Sequence, residues 1–64
     1  MYDIYTIFIF ISKNDLFKVK INNNIYSYND LMEILNKDKK NKFYVLTFPD
    51  FYNFVKDKEV KLVK

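Results

Sequence analysis

The stretch on which the fold turns is Tyr2–Ile11, YDIYTIFIFI. Tyr, Thr, Ile and Phe are the residues that best fill a pleated surface, so the stretch predicts a β-strand. Its even positions (Tyr2, Ile4, Thr6, Phe8, Phe10) form one face, and its odd positions (Asp3, Tyr5, Ile7, Ile9, Ile11) the other. From Ile7 onward both faces are apolar. That pattern suits a central strand covered on both sides, or one covered by a second copy of the chain.

Outward from this stretch the signals become more local. Ser12-Lys13-Asn14-Asp15 has the composition of a polar turn. Phe17–Ile21 alternates, with Phe17, Val19 and Ile21 on one face and Lys18 and Lys20 on the other, as in a half-buried strand. Asn22-Asn23-Asn24 supplies residues that tolerate the left-handed conformation of a tight hairpin, and Ile25-Tyr26 returns as a short strand. Ser27-Tyr28-Asn29-Asp30 reads as a capping box, with Asp in place of the preferred Glu. Tyr28, Leu31, Met32 and Leu35 follow at helical spacing, predicting a helix from Tyr28 to Asn36 or Lys37.

The lysine-rich stretch 37–42 reads as a loop after this helix. Phe43–Phe48 (FYVLTF) is apolar on both faces and predicts a second central strand. Pro49 then stops the strand and can occupy the first position of a helix, with Phe51, Phe54 and Val55 giving a turn or two that end near Lys56. Glu59–Val63 alternates again and reads as an edge strand guarded by lysine. The expectation is a single compact domain, residues 1–64, of the α+β class. It has a small, mainly antiparallel sheet in the order β-β-β-α-β-(α)-β, with one principal helix packed on one face.

Composition narrows the function. The 64 residues contain no Gly, Cys or His, and eleven lysines against eight carboxylates leave a net charge of +3. Without His or Cys there is no ready base near neutral pH, no thiolate and no zinc set. Without Gly there is no phosphate-cradling loop, and without Arg no bidentate fork for phosphate or guanine. The expectation is therefore a non-enzymatic chain with no cofactor and no metal. Asp30 with Glu33, and Asp50 with Asp57, read as helix-end carboxylates and not as a calcium set. The apolar run Ile4–Ile11 is too short to span a bilayer and lacks the basic flank of a signal peptide, so no membrane is expected and the cytoplasm is the expected compartment.

Two features point to partners. Tyr2, Tyr5, Tyr26 and Tyr52 are amphipathic rings that a surface can present to another protein. Lys37, Lys39, Lys40 and Lys42 form a basic cluster in the half of the chain that holds most of the lysine. Short, Gly-poor, Asn- and Lys-rich domains of this style are similar to small products of phages and other mobile elements in AT-rich bacteria. The leading expectation is a small protein-binding module of that kind, inhibiting host defence machinery by surface occlusion. The alternative is nucleic-acid binding through lysine, and a third reading is a small-molecule binder formed at a dimer interface. The doubly apolar stretch further predicts a homo-oligomer, most simply a dimer.

Overall fold

Half of this small chain is hydrophobic, and its buried side chains gather into one cluster between a sheet and the helices laid on it. The computed structural model describes residues 2–37 and 42–64. Among these, the elements in chain order are α1 (Ile4–Lys13), β1 (Lys18–Ile21), β2 (Asn24–Tyr26), α2 (Tyr28–Asn36), α3 (Phe48–Val55) and β3 (Val60–Val63). The fold is α+β with an antiparallel three-stranded sheet in the order β2-β1-β3.

Tyr2–Ile11 is not a strand. Its residues form most of α1, and the reason lies in the same ten letters. Ile4, Ile7, Phe8 and Ile11 recur at i, i+3, i+4 and i+7, which is one face of a helix. Ile7, Phe8 and Ile11 are buried and Ile4 packs against them. Asp3 is the N-cap: its Oδ1 accepts the Thr6 backbone N–H at 2.7 Å. That bond holds the Asp3 carboxyl below the usual carboxylate range. Lys13 lies in the last turn, where positive charge meets the helix dipole. Packing against the sheet outweighs the β preference of these side chains. Because a helix spreads its residues around an axis, Ile9 and Phe10 find partial cover beside the core without a second layer. The doubly apolar strand, and the need it created for outside cover, therefore disappear.

The polar turn, expected at residues 12–15, lies slightly later. Asn14 Oδ1 accepts the Leu16 N–H at 2.9 Å, and the Phe17 N–H donates to the Asn14 carbonyl at 3.1 Å. β1 then runs as its alternation predicts, with Val19 and Ile21 buried while Lys18 and Lys20 face the other way. The hairpin to β2 pairs Ile21 with Asn24, which leaves Asn22 and Asn23 as its two-residue loop. Asn22 has φ 54°, the left-handed region that Asn enters more readily than most residues.

α2 is the best-specified element. Ser27 Oγ accepts the Asp30 N–H at 3.0 Å, and Asp30 Oδ2 accepts the Ser27 N–H at 2.9 Å, completing the capping box. Leu31 is fully buried beneath it.

The second predicted central strand, Phe43–Phe48, is also corrected. Its inward and outward sides still alternate, with Phe43 and Val45 exposed, Tyr44 half-buried and Leu46 buried, but it pairs with no strand. Rather than add to an edge of the sheet, the segment runs along the margin of the core, sinking Leu46 and part of Tyr44 into it and leaving Phe43, Val45 and Thr47 exposed. Thr47 then caps α3 by accepting the Asp50 N–H, and Phe48 precedes Pro49 in the first turn. The helix after Pro49 thus exists, opening one residue earlier than the proline and ending at Val55, as the sequence predicts to within a residue. β3 is the expected edge strand.

In place of one principal helix, three helices cover one face of the sheet among the described residues. Phe8 links them, with its ring centroid 6.4 Å from Tyr28 of α2 and 5.7 and 5.4 Å from Phe48 and Phe51 of α3. Aromatic side chains bury large areas each, which is how so short a chain closes a core without disulfide or metal. Two tyrosine hydroxyls at the core margin are satisfied: Tyr28 donates to the Leu46 carbonyl at 3.2 Å and Tyr44 to Asp50 Oδ2 at 3.0 Å.

Candidate partner-binding surface

Three of the four singled-out tyrosines converge. Tyr2 precedes α1, Tyr5 lies in its first turn, and Tyr52 lies on α3. With Phe48 they line a groove of 520 Å³ that runs past Asp3, Ile4, Lys58 and Val60. The Tyr5 ring stands edge-on to Phe48 at 5.1 Å, and Phe48 lies 5.9 Å from Tyr52, its neighbour one helical turn on. Tyr2, Tyr5 and Tyr52 are each about half exposed, at 52%, 56% and 45%. Each ring therefore keeps an apolar face to desolvate and a hydroxyl free to turn toward a partner.

Charge at the groove rim is held in place. The Lys58 ammonium donates to the Phe54 carbonyl at 2.7 Å, pairs with Asp57 at 3.0 Å, and lies 4.8 Å from the Phe54 ring centroid. Its hydrogen bond keeps the Asp57 carboxyl below the usual range. The groove thus offers phenols and apolar carbon, with one seated cation and one capping carboxylate. No group of three or more His, Cys, Asp or Glu residues arranged to hold a metal occurs among the described residues.

The remaining candidates lie elsewhere. Tyr26 sits on the inner face of β2 beside Val19, half-buried against the core, and does not join the other three. Lys37 follows the last turn of α2, and Lys42 places its ammonium 5.5 Å from the Phe43 ring centroid; neither lines the groove. Lys39 and Lys40 lie outside the described residues.

Sequence reasoning missed Phe48, which it placed in a strand, although its spacing to Tyr52 is helical. It also missed the open side of the sheet. There the register sets Lys20 between Ile25 and Lys61, with Lys18 beside Val63. Three lysines gathered from two strands thus share a face that no described helix covers. The like-charged pair Lys20–Lys61, directly opposite in the ladder, disfavours the isolated sheet.

No protein-family model matches the chain, no curated protein matches its sequence, and no solved structure matches its fold. No helix among the described residues is long and apolar enough to cross a membrane.

Proposed function

We propose that the chain is a non-enzymatic protein-binding module that acts by covering a partner protein's surface. The supporting observation is the convergence of Tyr2, Tyr5 and Tyr52 on one groove floored by Ile4, Phe48 and Val60. Aromatic rings set in an apolar depression are the residues that dominate binding energy at protein interfaces. Lysines elsewhere on the surface speed encounter with an acidic partner without setting the contact itself. A host-defence protein as partner, and the cytoplasm as compartment, belong to this proposal through composition.

The test places a photo-cross-linking residue at position 5 or 52, with position 24 on β2 as control, in lysate of the source cell. The expected result is one protein cross-linked from 5 and 52 but not from 24, unaffected by nuclease, and lost in the Tyr2→Ser variant. Equal labelling from all three positions would remove the groove from the argument.

A second reading has its own observation, the open sheet face with Lys18, Lys20 and Lys61. Contact of these amines with a nucleic-acid backbone predicts affinity that falls with salt at a log–log slope of about −2 to −3 for three phosphates. Binding to a single-stranded oligonucleotide with a slope near zero, or no binding at low salt, excludes it.

A further inference from the structure

β3 is an edge strand, and its free side has a definite chemistry. The Asn22 N–H donates to the Glu59 carbonyl at 2.8 Å, and the Glu59 N–H donates to Asn22 Oδ1 at 3.2 Å, so the Glu59 backbone faces β1. Backbone direction alternates along an antiparallel strand. Lys61 and Val63 therefore also face β1, while the N–H and C=O groups of Val60 and Leu62 face the open edge. The β1–β2 pairing agrees: Ile21 and Asn24 close the two-residue hairpin, which turns the backbone of Lys18 and Lys20 toward β3.

The side chains flanking Val60 are opposite in sign, Glu59 before it and Lys61 after it, and both are exposed on the same side of the sheet. Such a triplet is self-complementary when a second copy runs antiparallel. We infer that two copies of this chain pair edge to edge through β3, with Val60 on the two-fold axis. In this register Glu59 stands opposite Lys61 of the second copy, twice by symmetry. These are non-hydrogen-bonded positions of the new ladder, where side chains approach most closely. Centring the axis on Lys61 would set lysine against lysine, and centring it on Leu62 would set Lys61 against Val63 and leave it without a carboxylate.

Two further features fit the same occupant. A groove of 580 Å³ runs beneath the edge, lined by Tyr2, Ile7, Val60 and Leu62 with Glu59 and Lys61 at its rim. Pairing brings the two grooves together and buries apolar carbon from both copies. It also brings a second carboxylate to the Lys20–Lys61 pair, beside the Glu59 that shares a small pocket with both lysines within one copy. Tyr2 and Val60 line both this groove and the tyrosine groove, whereas Tyr5 and Tyr52 lie outside this one and stay available to a partner protein.

The experiment is sedimentation equilibrium of the intact chain from micromolar to millimolar concentration, with Glu59→Lys, Lys61→Glu and the double exchange. Both positions are exposed, and circular dichroism verifies that each variant is folded. The wild-type mass is expected to rise from 7.9 kDa toward twice that value. Each single reversal weakens association about tenfold or more, and the exchange restores it. A wild-type chain that stays monomeric at millimolar concentration overturns the inference. So does a dimer indifferent to either reversal, or a folded double exchange that fails to reassociate.

Discussion

α1 and α2 are both short helices laid on the same sheet face, yet one is plain in the sequence and the other is disguised. Both have a side-chain N-cap, Asp3 for α1 and Ser27 for α2. Both carry an i, i+3, i+4, i+7 apolar set: Ile4, Ile7, Phe8 and Ile11 in one, Tyr28, Leu31, Met32 and Leu35 in the other. The difference lies in the residues between. α2 intersperses Asn29, Asp30 and Glu33, so the apolar stripe stands out. α1 intersperses Tyr5, Ile9 and Phe10, so every period from two to four fits it. A hydrophobic period is read from its polar gaps, and where those gaps are filled with Ile and Phe the period is lost.

The comparison can be broken most sharply in the core. If residues 4–11 formed a strand, Ile9 and Ile11 would share a face and cost the same to truncate. In the helix Ile11 is 1% exposed and Ile9 only partly covered. Ile11→Ala is expected to cost about 2–5 kcal/mol, as is typical of buried Ile truncations, and Ile9→Ala clearly less. Urea denaturation of the two variants decides the matter, and equal losses would restore the strand.

A smaller effect sharpens the other side of the comparison. Ser27→Ala removes the acceptor for the Asp30 N–H and is expected to lower stability by about 1 kcal/mol, with Ser27→Thr retaining most of it. Thermal melts near neutral pH measure this. A loss below a few tenths would mean that burial of Leu31, and not the cap, sets where α2 begins.

The smallest effect concerns the misread segment 43–47. Burial, aided by the bond to Asp50, pushes the Tyr44 hydroxyl up to about 12. Its folded pKa is raised, so the neutral phenol contributes stability below about pH 10, and that contribution is lost as pH climbs from about 10 toward 12. Tyr44→Phe should flatten this alkaline decline and remove a step near pH 12 from the ultraviolet titration of the folded chain. An alkaline decline unchanged in Tyr44→Phe would mean that Tyr44 is not packed as described.

The candidate surface divides along similar lines. Tyr2, Tyr5 and Tyr52 stood out as amphipathic rings, and the lysine alternation of β1 and β3 was plain. Their groupings were not. The expected strand would have put Tyr2 and Tyr5 on opposite faces, whereas α1 brings them to one groove together with Tyr52. Tyr26 looked equivalent to these three, but its register with Val19 turns it inward.

By itself the sequence determined the α+β class, the β1–β2 hairpin with its asparagine turn, α2 and its cap, the helix after Pro49, and β3 as a lysine-bearing edge. Each of these rests on local chemistry: a cap, a left-handed turn, or a polar face opposite an apolar one. The tertiary structure decided what local chemistry leaves open. It made residues 4–13 a helix, kept 43–47 out of the sheet, and set which tyrosines meet and which lysines share a face. The reason is that an all-apolar segment is compatible with either backbone, and the choice falls to whichever packs best against the rest. Residues 4–11 bury Ile7, Phe8 and Ile11 as a helical stripe over the sheet, and the 43–47 segment contributes Leu46 to the same core without extending either sheet edge.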